Sequence, residues 1–155
     1  MCFRHWFSIK FEQQHAVLKY YNEKYIKDVK VLTGRNRRNG PYRTNCTVTV
    51  LVPFGNNITT SISYKVSGVD FTYKFKFCEI IKRKWMYDYV KSISDLFDNG
   101  GCPFQPRTYS IYNMEFPPKN CPLPLPQADT TLIYRYLITS TEEVIFELQI
   151  DIKIK

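Results

Sequence analysis

The chain has 155 residues, enough for one domain that buries roughly 70 % of its unfolded surface. It is aromatic-rich, with 12 Tyr and 11 Phe, and its net charge of +8 favours anionic partners without choosing among nucleic acid, acidic headgroups and sialylated glycolipid. The five cysteines contain no C-x-x-C pair, which argues against a zinc ribbon or redox motif, and no stretch approaches the ~20 apolar residues of a spanning helix.

Residues 1–24 find no firm place in the domain. Trp6, Phe7, Phe11, Val17, Leu18 and Tyr20 are available for burial without a clean period, and a short strand or helix is expected somewhere in Met1 to Tyr25. The run from Met1 to Ala16 is broken by Arg4, His5, Lys10, Glu12, Gln13, Gln14 and His15, so it is not a secretory leader. The sequons Asn45-Cys46-Thr47 and Asn57-Ile58-Thr59, alongside the cysteines, lead us to expect an extracellular glycoprotein whose leader is missing from this sequence.

Tyr25 to Leu32 reads as a strand, followed by a Gly-, Asn- and Arg-rich turn over residues 33–41 whose arginines suit a solvated hairpin tip better than an anion-binding rim. From Thr44 to Phe54, Cys46, Val48, Val50 and Val52 alternate with Thr47, Thr49 and Leu51, the pattern of a half-buried strand. Ile62, Tyr64 and Val66 alternate next, Gly68 breaks the run, and Val69, Phe71, Tyr73, Phe75 and Phe77 then alternate with Asp70, Thr72, Lys74 and Lys76.

Between Cys78 and Cys102 the period changes. Ile81, Trp85, Tyr89 and Ile93, with a second row at Met86, Val90 and Phe97, define one face of a single amphipathic helix that ends at Asn99-Gly100-Gly101. The spacing lets a helix leave a strand at one cysteine and return at the other, so a Cys78–Cys102 bridge would staple it to the sheet. Cys46, Cys78, Cys102 and Cys121 nonetheless allow three pairings, and Cys2 is left over. Trp85, Tyr87 and Tyr89 have the apolar body and polar tip suited to gating a cavity or touching a membrane, although plain packing on the sheet explains them as well.

Arg107 to Phe116 can form a strand. The proline-dense run from Phe116 to Pro126 cannot, because proline removes backbone donors, and it is expected as a stiff rim loop, with its leucines at a cavity mouth as the functional alternative. Leu132, Tyr134, Tyr136 and Ile138, then Val144, Phe146, Leu148, Ile150, Ile152 and Ile154, form a closing hairpin around Ser140-Thr141-Glu142. Six or more antiparallel strands, short turns and one inserted helix specify a mainly β protein, an antiparallel β-sandwich or β-cup.

Little in the chain supports catalysis. His5 and His15 are the only histidines and lie in the irregular N-terminal stretch, no G-x-S-x-G, H-E-x-x-H or Walker loop occurs, and Glu142-Glu143 sits in a turn. No cofactor or metal is implied. A single-strand nucleic-acid platform needs rings and cations on one exposed face, whereas Phe71, Tyr73 and Phe75 lie opposite Lys74 and Lys76. Two sheets that splay apart would instead leave an apolar pocket, held closed to water by its inward side chains.

Phe77-Cys78, Cys102-Pro103-Phe104, Thr108-Tyr109-Ser110, Met114-Glu115-Phe116 and the Leu125-Pro126 before Tyr134 occur in an order and spacing that resemble the ganglioside activator branch of the ML lipid-recognition superfamily. The chain is most similar to the insect group that includes the CheB-type chemosensory proteins, over roughly Asn39 to the C-terminus. The resemblance implies an Ig-like β-cup, secretion, lipid binding without catalysis and a Cys78–Cys102 bridge, which leaves Cys46 to meet Cys121. The chain departs from the ganglioside activator in lacking its additional disulfides and in carrying Gln127-Ala128-Asp129-Thr130 in place of a glycine before the penultimate strand.

The resulting expectation is one secreted, non-enzymatic domain over residues 1–155 that carries a fatty acid, hydrocarbon or glycolipid, with a chemosensory or pheromone-related role. Phe71, Tyr73, Phe75, Trp85, Tyr134, Tyr136, Phe146 and Leu148 are expected to line its cavity, and Asn45 and Asn57 to carry glycans. An anionic membrane surface or a receptor would be further partners. The alternatives are an extracellular β-sandwich with a filled core that binds a protein, and a lipid-presenting activator of a glycosidase.

Overall fold

Alternation of apolar and polar residues converts most of this chain into strands, and the computed structural model describes residues 11–118, 121 and 128–154. β1 (Phe11–Tyr21), β2 (Ile26–Gly34), β3 (Arg43–Val50), β4 (Ile58–Val66) and β5 (Val69–Lys76) are followed by helices α1 (Phe77–Lys82) and α2 (Lys84–Ile93). The chain then returns through β6 (Thr108–Met114), β7 (Thr130–Ile138) and β8 (Val144–Ile154). Cys2, His5 and the leucines of the proline run lie outside the described residues.

The strands form two antiparallel sheets, one ordered β1-β8-β7-β4-β5 and the other β2-β3-β6. This is the expected β-sandwich or cup. β4 and β5 meet through a two-residue turn in which Ser67 and Gly68 both have positive φ, 50° and 80°, the twist that a tight hairpin requires. Ile58, Ile62, Leu132, Ile145 and Ile150 are wholly or almost wholly buried and form the apolar floor of the large sheet.

The two sides of the sandwich close differently. On one side β1 leans on β2 and β3: the Ala16 amide donates to Thr33 Oγ1 at 3.1 Å, and the Thr33 and Thr44 hydroxyls are 2.9 Å apart. Gln13, with no exposed surface, completes this link by donating from Nε2 to Thr44 Oγ1 at 2.6 Å and accepting from the Phe116 amide at 2.8 Å. At the adjoining corner the Glu143 carboxylate accepts from Tyr25 Oη at 2.6 Å and Asn22 Nδ2 at 3.1 Å, and Lys24 Nζ lies 3.2 Å away. On the opposite side β5 and β6 are edge strands that do not pair with each other, and α1 and α2 span the gap.

The helical excursion is two helices, and this corrects the expectation of one. Arg83, at φ −64° and ψ 136°, is extended between α1 and α2, with its guanidinium 5.3 Å from the Phe75 ring centroid. The break re-aims the second helix so that Ile80 and Ile81 of the first and Met86 and Val90 of the second are all buried. The second helix stops at Ser94, whose hydroxyl donates to the Val90 carbonyl at 2.6 Å, and not at Gly100-Gly101. Ser94 instead pairs with Ile111, which docks the end of α2 on β6.

Cys78 and Cys102 form a disulfide across 24 residues, with Cα atoms 5.7 Å apart. Gly55 allows the chain to pass beside it, since a Cβ there would stand 3.2 Å from Pro103 Cβ. Cys46 carries a free thiol, so the expected Cys46–Cys121 bridge is not formed. The reason is topological: Cys46 points between the sheets from the middle strand of the small one, where it pairs with Val31 on one side and Ile111 on the other.

Candidate functional site

The helix-bridged side of the sandwich holds a cavity of about 160 Å³. The large sheet contributes Thr60 from β4, Tyr134 and Tyr136 from β7, and Phe146, Leu148 and Ile150 from β8. The small sheet contributes Ile26, Cys46, Val48, Val50, Tyr109, Ile111 and Met114. The two helices supply the roof through Phe77, Ile80, Ile81, Met86, Tyr89, Val90 and Ile93, and Phe54, Leu96, Phe104, Phe116 and Pro118 close the ends. Period-two alternation on the strands and 3.6-residue spacing on the helices converge on this space. No Asp, Glu, Lys, Arg or His is among the lining residues.

Four of the residues expected from sequence, Tyr134, Tyr136, Phe146 and Leu148, stand together on the cavity wall. Phe71, Tyr73, Phe75 and Trp85 lie elsewhere. β5 is the edge strand of the large sheet and runs past the opposing layer, so Phe71 stays 42 % exposed and stacks on Tyr64 at 5.7 Å, while Tyr73 and Phe75 pack at the periphery. Trp85 packs against the core with its indole N–H buried and unpartnered. Sequence reading missed the helix residues Ile80 and Met86 and the inward row of β3 as lining, although both carried a visible period.

At the centre of the wall is an aromatic cluster. Phe77 meets Phe54, Phe104 and Tyr136 edge to face, with centroids 5.8, 5.7 and 5.6 Å away. Tyr136 also meets Phe146 at 5.9 Å and Tyr134 at 5.3 Å. The Tyr134 and Tyr136 hydroxyls are 3.2 Å apart. Both side chains are half-buried on the cavity wall, and burial raises their pKa, that of Tyr136 strongly. Tyr89 and Tyr109 are differently placed: their hydroxyls donate to the Glu115 and Gln105 carbonyls, each at 2.6 Å.

The cavity chemistry is therefore apolar with a few neutral hydrogen-bonding groups. Burial pushes the Cys46 thiol up to about 11 from an ordinary value of 9.0. Folded and unfolded states hold this proton equally below pH 9, and the unfolded state alone releases it between pH 9 and pH 11, so the stability present below pH 9 is lost as pH rises through the folded value. Urea unfolding at pH 8 and pH 11 should show the wild type losing about 2 to 3 kcal/mol more than Cys46→Ala over that interval. Equal losses in the two proteins would place the thiol in contact with water.

The exposed Asn45 and Asn57 side chains are both engaged. Asn45 Oδ1 accepts from the Asn113 amide at 2.8 Å, and Asn57 Oδ1 accepts from the Gly55 amide at 2.9 Å. Among the described residues no helix is long and apolar enough to cross a membrane, and no group of three or more His, Cys, Asp or Glu is placed to hold a metal.

No known family profile matches the sequence, and no curated protein does. Among solved structures, the crystal structure of chicken MD-1 complexed with lipid IVa is similar over 93 % of this chain and 96 % of that one, at 9 % identity and a TM-score of 0.38.

Proposed function

We propose that this protein is a single-domain, non-enzymatic carrier that encloses a small hydrophobic ligand between its sheets, with Tyr134, Tyr136, Phe146 and Leu148 among the contacts. The observation that carries this reading is the cavity itself: space walled by aliphatic and aromatic side chains, with no charged residue, in a sandwich that close packing would otherwise have filled. The lining groups that titrate are tyrosines and one thiol, all neutral near pH 7, and neutral tyrosine and thiol make poor bases and nucleophiles. A filled-core protein-binding module is less favoured for the same reason.

Size narrows the ligand. An engineered apolar cavity of about 150 Å³ takes benzene, so the cavity of about 160 Å³ takes a ligand or ligand segment of roughly six carbons. That suits one short chain or one segment of a longer chain, and it disfavours the paired acyl chains of a glycolipid and with them the glycosidase-activator reading. Tyr89, Ile93, Leu96, Ile111 and Met114 are half-buried lining residues that cluster where α2 meets β6, and a longer chain would leave there. The Cys78–Cys102 bond fits an oxidising, extracellular compartment, in which a chemosensory role and glycans on Asn45 and Asn57 would be at home.

The test is native mass spectrometry with titration of short-chain hydrophobic compounds, comparing wild type with Val48→Phe. The larger ring enters the cavity from the small sheet, and it should abolish uptake while changing stability by less than about 2 kcal/mol. Undiminished uptake by Val48→Phe would place binding outside the sandwich.

A further inference from the structure

Of the hydroxyls on the cavity wall, those of Tyr89 and Tyr109 already donate to backbone carbonyls, and the other three meet one another. Thr60 and Tyr136 are direct partners across β4 and β7, and Tyr134 stands two residues from Tyr136 on the same face. The Tyr134 and Tyr136 hydroxyls share one contact at 3.2 Å. Thr60 has no exposed surface, and its hydroxyl lies near enough to Tyr134 to lower that group's pKa while making no hydrogen bond of good geometry. Three hydroxyls in a row bring three O–H donors to at most two mutual links. One donor is left over in a dry place, where an unmade hydrogen bond is costly.

Resting on the carrier reading above, we infer that the Tyr134 and Tyr136 hydroxyls, backed by the fully buried Thr60 hydroxyl whose spare donor they pass on, form the polar terminus of the ligand site and receive an uncharged oxygen, so that the ligand is a short-chain alcohol, carbonyl compound or ester and not a carboxylate. An uncharged oxygen accepts the spare O–H, and an alcohol can return a proton to a neighbouring oxygen lone pair. A carboxylate would bring a charge into a space with no cation on its wall, which is expensive unless paired. The same wall holds the neutral Cys46 thiol and adds no compensating charge. Burial of five or six methylenes alone gives affinity of only about millimolar order, so this one polar contact decides which compounds bind usefully.

Calorimetric or NMR titrations at pH 7 with 1-hexanol, hexanoate and benzene test the assignment, using wild type, Thr60→Val and Tyr136→Phe. The wild type should bind 1-hexanol at least ~tenfold more tightly than hexanoate. Each variant should lose about tenfold for 1-hexanol while binding benzene, which needs no hydrogen bond, as the wild type does. Tyr136→Phe removes an oxygen without changing ring volume, and it decides the question should Thr60→Val fold poorly. Hexanoate binding equal to 1-hexanol, or 1-hexanol binding unchanged in the variants, overturns the hydroxyl assignment and leaves an apolar carrier. Failure of benzene and 1-hexanol alike to enter the wild type overturns the carrier reading as well.

Discussion

Replacing Phe77 by Ala should remove about 3 to 5 kcal/mol of stability, measured as the shift in urea midpoint at constant slope. The ring is 4 % exposed and occupies the point where the last residue of the β4–β5 hairpin face becomes the first residue of a helix. It touches three other aromatic rings edge to face, each from a different part of the chain: Phe54 before β4, Phe104 after the helices and Tyr136 on β7. Deleting it takes away apolar area and three favourable ring contacts together, and the three rings are held by separate elements that cannot all move inward to fill the space. A domain of this size has only about 5 to 15 kcal/mol in hand, so the variant should lie near its unfolding threshold at 37 °C. Phe77→Leu, which keeps most of the volume, should lose less than half as much. A loss under about 1 kcal/mol for the alanine variant would mean that the helices and the large sheet pack independently.

Alternation in the sequence states which side of a strand faces inward, and it did so correctly for Cys46, Val48 and Val50, and for Phe146, Leu148 and Ile150. It does not state what lies opposite. Phe71 and Tyr73 share a face with Phe77, yet only Phe77 is covered by the small sheet and helices, because strand order, a long-range property, makes β5 an edge. β1 was expected only as a short strand or helix somewhere in Met1 to Tyr25, for a related reason: its buried Gln13 reads as a polar interruption, and only the partners Thr44 and Phe116, 31 and 103 residues away, make that burial tolerable. The break at Arg83 carries no proline or glycine and follows from tertiary packing of the two helices. A hollow and a filled core share one pattern of apolar residues, so the void itself was not legible, and neither was the spare hydroxyl of Thr60, which looks in sequence like any strand threonine.

Reduction of Cys78–Cys102, or its replacement by a pair of alanines, should cost about 3 kcal/mol, since a bridge closing a loop of 24 residues removes that much chain entropy from the unfolded state. The effect on the site should exceed the effect on the rest of the fold. The sheet edges joined through Gln13, Thr33 and Thr44 are held by strand pairing and buried hydrogen bonds whether or not the bridge is present. α1 and α2 have six and ten residues, too short to persist alone, and their roof over the cavity depends on packing and on this one covalent tie at each end of the excursion. Hydrogen exchange on the oxidised and reduced protein should therefore show protection lost first over residues 77–104, with β1, β7 and β8 retaining theirs. Ligand release should accompany that local opening, because Ile80, Ile81, Met86 and Val90 supply one whole wall of the cavity. Uniform loss of protection across both sheets would instead tie the helical roof and the sandwich into one cooperative unit, and the bridge would then act on global stability alone.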